Sequence, residues 1–279
     1  MMKKFIALAL LLISLQSYSQ FRLGVFGGLS NYWGDLVERP YQSSRGVFGL
    51  SGTWTLSQRF NVRAGLNFAR VAGADSNSKS SELVARNLSF QSKITEFSLM
   101  AEYNIFNLDQ MRWTPYVFGG LAVFHFDPFT YDQNNSRVYL KPLTTEGQGI
   151  TGYPGEPYSL TQLAIPFGGG FKYAISEKVH LGLEVGIRKL FTDHLDDVSG
   201  NYADPADLVA FRGQQSADLA YRGDELPGGA PASPGKGMTR GGAIYKDYYY
   251  FTGLHLTMQL GEGKLFSRGG EKGYGCPKF

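Results

Sequence analysis

The chain has 279 residues and carries 27 Lys and Arg against 24 Asp and Glu, a net charge of +3 spread along its length. So small and dispersed an excess offers no basic patch for nucleic acid, and a single cysteine, Cys276, excludes an internal disulfide framework. Charged residues make up only 18%, while glycine (36), phenylalanine (20) and tyrosine (17) are plentiful, a balance that suits many short strands with aromatic girdles.

The N-terminus predicts export. Met1, Met2, Lys3 and Lys4 form a basic n-region, and residues 5–15 are an apolar h-region too short to span a bilayer. Ser17 and Ser19, on either side of Tyr18, supply small residues before Gln20. Residues 1–19 therefore read as a signal peptide, 20–260 as one β domain and 261–279 as a periplasmic C-terminal tail. No later run approaches the roughly 20 consecutive apolar residues of a membrane helix.

Residues 21–29 read as a first strand, followed by a polar connection over 30–45. The second strand, 46–56, places Phe48, Leu50 and Trp54 opposite Gly49, Ser51, Thr53 and Thr55. Ser57 and Gln58 make a tight turn into a third strand, 59–72. There Phe60, Val62, Ala64, Leu66 and Phe68 alternate with Asn61, Arg63, Gly65 and Asn67. A polar connection over 73–87 precedes a fourth strand ending in 95–106. Its Phe97, Leu99, Ala101, Tyr103 and Ile105 oppose Glu96, Ser98, Met100, Glu102 and Asn104.

A short turn, 107–112, leads into a fifth strand, 113–126, which is apolar on both faces and leaves its orientation open. The connection 127–157 is long. The sixth and seventh strands flank a very short turn, Ser176, Glu177 and Lys178. From Val179 the alternation is strict: Val179, Leu181, Leu183, Val185 and Ile187 against His180, Gly182, Glu184, Gly186 and Arg188. The longest connection, about 193–246, contains a Gly- and Pro-rich stretch, 223–242, predicted to be disordered by composition. The eighth strand covers 247–260.

Connections thus alternate long and short, which puts the short turns at one end of a meander and the long loops at the other. The strand runs match the roughly 9–11 residues that a tilted strand needs to cross a bilayer. The expected fold is all-β, an eight-stranded antiparallel up-and-down transmembrane β-barrel of the cell outer membrane. With both termini in the periplasm, an even strand number puts the short turns there too and the long loops outside. The apolar faces then meet outer-membrane lipids. Arg63, Glu96, Glu102, Lys172, Glu184, Arg188, His180 and His255 line an interior wide enough only for side chains, where opposite charges pair as a plug.

Candidate chemistry is sparse. His125 and His194 fall near loop ends, beside Asp127 and beside Asp193, Asp196 and Asp197. A serine–histidine–carboxylate site needs three converging groups, and no nucleophile motif is present. The three aspartates offer oxygen ligands for Ca²⁺ but lack a calcium loop's spacing, and a solvated loop is the simpler reading. Gly168, Gly169 and Gly170 do not lead into a helix or a Lys-Ser/Thr pair, so they are no phosphate loop; small residues there relieve crowding. No catalytic, cofactor or metal residues are predicted. The unpaired Cys276 of an exported chain points to a mixed disulfide with a periplasmic partner or to a free thiol.

Several stretches carry a resemblance: SNYWGDL (30–36), ARNLSFQS (85–92), TPYVFGGLAVFHFDP (114–128), LTTEGQG (143–149) and the run 158–205. They resemble the PorG family of outer-membrane β-barrels, components of the type IX secretion system of Bacteroidota. The resemblance implies a non-enzymatic anchor for the periplasmic ring built from the PorK lipoprotein and PorN, serving protein export and, in gliding members, motility. On that basis the partner-facing surface is the turn at Ser57 and Gln58, the turn 107–112, the turn Ser176, Glu177 and Lys178, and the tail that carries Cys276. The alternatives are a stand-alone barrel for adhesion or envelope integrity, and a barrel enzyme that modifies lipid A.

Overall fold

The alternating segments close into a barrel in the computed structural model, which describes residues 21–228, 233–242 and 246–260. Eight long strands form it: β1 (Phe21–Trp33), β2 (Arg45–Thr55), β3 (Phe60–Ala74), β4 (Ser89–Asn104), β5 (Trp113–Tyr131), β7 (Thr161–Ala174), β8 (Val179–Leu190) and β9 (Tyr248–Leu260). A three-residue strand, β6 (Arg137–Tyr139), pairs only with the outer end of β5. Neighbours in sequence are antiparallel neighbours in the sheet, and β1 pairs with β9 (Val25 opposite Leu256), which closes the cylinder and leaves no free edge. The signal peptide, 1–19, and the tail with Cys276 lie outside the described residues.

The outward face is apolar and exposed. Leu121, Leu163, Phe171 and Phe97 are each 57–68% exposed, as are many neighbours to similar degrees. A continuous apolar surface on this scale far exceeds the roughly 300–600 Å² patch of a soluble monomer. On β3 it runs from Phe60 to Phe68, about 20 Å along the axis for tilted strands, close to the height of a lipid-facing band. At the short-turn end Phe21 packs on Trp54, Phe60 on Tyr103 and Phe106 on Trp113, forming an aromatic girdle. At the long-loop end the belt stops at outward charges, Arg70, Lys93, Asp127 and Lys189. Among the described residues no helix is long and apolar enough to cross a membrane; the strands do so.

The inward face is a packed polar core. Arg63 makes a two-pronged pair with Glu184 (2.6 and 3.0 Å) and lies 3.7 Å from Glu102, which also pairs with Lys172. Arg188 pairs with Glu96 at 2.9 and 3.2 Å. Tyr116 donates to Glu184 (2.8 Å), and Tyr249 and Asn67 donate to Glu96 (both 2.7 Å). All eight residues expected inside are buried there. Gly168 and Gly170 answer a crowding requirement: a Cβ on either would lie 2.1 Å from a carbonyl oxygen of β8, with Phe118 and Tyr116 packed close by.

The fifth strand's two apolar faces are now distinguished. Tyr116, Phe118, Phe124 and Phe126 are buried inside, while Val117, Leu121 and Val123 face out. Several strands run past their predicted ends on the long-loop side: β1 reaches Trp33, β3 reaches Ala74 and β5 reaches Tyr131. Their extensions are held by an aromatic layer of Tyr32, Phe90, Phe124, Phe126 and Tyr249 beneath the long loops.

Those loops are not solvated coils. They carry α1 (Ser81–Arg86), α2 (Pro205–Arg212) and α3 (Gln214–Ala220) and fold into a cap. Two expectations are corrected here. Asp193, Asp196 and Asp197 are buried rather than solvated: Tyr32 donates to Asp196, and Thr145 and Tyr158 to Asp197, while Asp193 takes Ser199 of its own loop. The stretch 223–242 is ordered in its described parts: 223–225 form a helical turn and Arg240 is buried, tied to Glu146. Charge pairing supplies the order that its Gly- and Pro-rich composition argues against; residues 229–232 lie outside the described set.

Candidate functional site

Two surfaces lie beyond the belt, and each is built by local side-chain chemistry. At the short-turn end every turn is closed by an oxygen of its own residues. Ser57 Oγ accepts from Phe60 N (3.1 Å), Asn107 Oδ1 from Asp109 N (2.9 Å), and Ser176 Oγ from Val179 N (3.1 Å). Such side-chain-to-backbone bonds replace a longer loop and keep the rim flush with the barrel. Ser176, Glu177 and Lys178 are exposed, and the carbonyl of Lys178 accepts from Gln259 N (2.8 Å). That bond sets the turn beside the last residues of β9. Between the turns a polar cavity of about 50 Å³ opens, lined by Arg22, Asn61, Asn104, Asp109, Lys172 and His180 among others. It has room for a few waters, and a separate cavity of about 20 Å³ lies beside the Arg63 and Arg188 ion pairs further in.

At the other end the cap is one hydrogen-bonded network. Arg86 grips Asp75 through two bonds of 2.7 Å, and Leu88 N caps the same carboxylate at 2.8 Å. Arg86 also donates to the carbonyl of Arg240. Arg240 reaches Glu146 (2.9 Å) and the carbonyls of Asp197 (2.6 Å) and Ala220 (3.2 Å). Asp197 accepts from Thr145 and Tyr158 (both 2.6 Å), and Tyr32 donates to Asp196 (2.6 Å) and lies 3.1 Å from Asp247. All four long connections therefore share one buried polar layer.

Its electrostatics are those of carboxyls short of solvent. Burial pushes Asp193 and Asp197 up to about 6, outweighing the bonds from Ser199 to the first and the Arg240 charge near the second. Burial, then the nearby charge of Asp247, holds Asp196 well above the usual carboxylate range; burial and Asp193 do the same to Asp247. Among the described residues no group of three or more His, Cys, Asp or Glu is placed to hold a metal ion.

A pH dependence follows. In an opened loop these aspartates ionise near 4; in the closed cap they retain protons to about 6. The closed state binds more protons, so its stability is fully present below about pH 4 and is lost as pH rises through about 6. Hydrogen exchange of residues 193–200 should be slower at pH 5 than at pH 7.5, and the difference should shrink in Asp193→Asn/Asp197→Asn. Equal exchange at both pH values, after correction for the intrinsic chemical rate, would contradict the assignment.

The two histidines near loop ends sit in different surroundings. His125 faces out and pairs with Thr161 (3.1 Å), and His194 stacks on Tyr158 with centroids 4.7 Å apart. One pair escaped the sequence reading: Ser51 Oγ lies 2.8 Å from His255 Nε2. It looks like a nucleophile and its base, but Arg63 sits 3.0 Å from His255 Nδ1. A guanidinium only donates, so Nδ1 accepts and the ring proton is on Nε2. His255 therefore donates to Ser51 and has no lone pair with which to take its proton. No local signal reveals this, because the three residues meet only through the barrel register.

A closed cylinder with a belt of lipid height and a packed polar interior defines a transmembrane β-barrel of the outer-membrane type. A family described as a domain of unknown function (DUF6089) matches residues 2–220, and the chain belongs to that family. No curated protein matches it in sequence. Among solved structures it is similar to Neisserial surface protein A, at 9% identity and TM-score 0.43, covering 86% of this chain and 97% of that one. It is similar also to Ail, the attachment invasion locus protein of Yersinia pestis, solved with the heparin analogue sucrose octasulfate (7% identity, TM-score 0.42, 87% and 99% covered). OprG from Pseudomonas aeruginosa is a third such structure (11% identity, TM-score 0.40, 88% and 99% covered).

Proposed function

We propose that this barrel is a non-enzymatic component of the type IX protein secretion system that anchors or aligns a periplasmic ring of the PorK lipoprotein and PorN type. The observation that carries the reading beyond the sequence resemblance is the pairing of a sealed interior with a flush, exposed short-turn rim. A barrel filled by the Arg63, Lys172 and Arg188 ion pairs has no pore for a cargo, which favours a mechanical role. The rim offers both charge signs on rigid turns: Arg59, Arg112 and Lys178 against Asp109 and Glu177, all exposed. On this reading the rim and both termini face the periplasm, and Ser176, Glu177, Lys178 and Cys276 belong to the docking surface. The Ser51–His255 tautomer supports a non-enzymatic role.

The experiment is a pull-down from detergent-solubilised membranes. Ring proteins should co-purify with the wild type, and Glu177→Lys/Lys178→Glu should lower their recovery severalfold while the barrel stays folded. Secretion unaffected by loss of the whole protein would refute the reading. A second reading, a stand-alone adhesion barrel, is favoured by one observation: Val209, Phe211 and Met238 are exposed on the cap. It predicts normal secretion and reduced surface binding in the same deletion strain.

A further inference from the structure

The outward face of the barrel is uncharged until the long-loop edge of its belt, and there the charges are grouped. Arg70 on β3 stands directly opposite Lys93 on β4, and Lys93 stands opposite Asp127 on β5. Both cations are exposed. Among the described residues neither the Arg70 guanidinium nor the Lys93 ammonium makes a side-chain hydrogen bond or an ion pair within 4.0 Å. Lys141, from the connection after β6, and His125, one step nearer the belt, also act on the Asp127 carboxyl. Lys93 and Lys141 thus act on one acid, while Arg70, one strand further round, faces only Lys93 on β4.

Like charges directly opposite across a strand pair are destabilising. Here they stand at the rim of the lipid-facing band, where dielectric is lower than in water and the repulsion is less screened. An anion between Arg70 and Lys93 removes that cost. A phosphate fits the donors: the guanidinium offers two parallel N–H groups and lysine a point charge. The position adds a second requirement. Phe68 lies immediately below Arg70, and Leu66, Phe97 and Val123 follow further down the same flank past Thr95 and His125, all exposed, so the anion's carrier has apolar chains that run down the belt.

We propose that Arg70 and Lys93 form a binding site for the phosphate of a phosphorylated glycolipid headgroup, with its acyl chains laid along the β3–β4–β5 face. The choice of a glycolipid rests on the long-loop end facing the outer leaflet. The phosphate chemistry does not depend on that orientation. Lys189, on β8 across the barrel, is exposed at the same edge without a cationic partner opposite it on β7 or β9, and serves as an internal control.

Native mass spectrometry of the full barrel in mild detergent tests the site with four probes: lipid A, enzymatically dephosphorylated lipid A, phosphatidylglycerol and inorganic phosphate. Wild type should bind lipid A about tenfold more tightly than its dephosphorylated form. Arg70→Ser/Lys93→Ser should lose that preference, and Lys189→Ser should keep it. An unheated gel, on which a folded barrel migrates apart from the heated chain, confirms that each variant is folded. Equal binding of both lipid A forms by wild type would overturn the proposal, as would discrimination retained in the double variant. Phosphatidylglycerol binding as tightly as lipid A would overturn the glycolipid assignment, and displacement of lipid A by millimolar phosphate would overturn the contribution of the acyl chains.

Discussion

Glu96→Ala is expected to lower the stability of the barrel by about 3–5 kcal/mol, the cost of leaving a buried partner uncompensated. Glu96 is fully buried and accepts from Arg188, Tyr249 and Asn67. Without it, the Arg188 guanidinium keeps only the Gly186 carbonyl (2.7 Å) and the faces of Phe251 (4.0 Å) and Tyr249. Urea unfolding in lipid vesicles, read by tryptophan fluorescence, measures the loss. The three tryptophans, Trp33, Trp54 and Trp113, all face outward near the belt edges, so each reports transfer out of the membrane. Glu96→Leu/Arg188→Met should recover at least half of the loss, since a buried pair replaced by apolar residues of similar volume is often neutral. A single variant less than about 1 kcal/mol below wild type would show that the pair does not hold the strands.

Arg240→Ala should open the cap and leave the barrel intact. The change strips the buried Glu146 carboxylate of its charge partner and the carbonyls of Asp197 and Ala220 of a donor. Glu146 would retain only the Ser199 and Gly200 backbone N–H groups and a long contact from Gln148. A local loss of about 3 kcal/mol corresponds to roughly 100-fold faster hydrogen exchange. The acceleration should appear in residues 193–200 and in α3, with β3, β4 and β8 unchanged. Exchange within twofold of wild type would mean that the loops are held by their apolar contacts alone.

The two sites differ in how far they could be read from residues in order. Every residue assigned to the interior from alternation is interior, including Arg63, Glu184 and His255. A period of two is preserved in each strand, so one polar residue in every pair declares the inward face. That signal fails in β5, where Phe124 and Phe126 face the aromatic layer beneath the cap while Val123 faces lipid. Periodicity does not separate a protein core from a membrane when both want apolar side chains. It fails also at Asp193, Asp196 and Asp197, which look solvated because their partners Tyr32, Thr145 and Tyr158 are far away in sequence.

By itself the sequence determined the strands, their faces, the alternation of short turns with long connections, and hence a membrane barrel. These are properties of short segments, set by backbone pleat and by the residues that close tight turns. Only the tertiary structure decided which charges meet: Glu96 with Arg188, Glu184 with Arg63, Arg240 with Glu146. It alone also set Arg70 opposite Lys93 and placed a guanidinium on His255. Those pairings follow from strand register around a closed cylinder and from the folding of four loops onto one another. Both bring together residues separated by tens to hundreds of positions, and no local pattern records such distances.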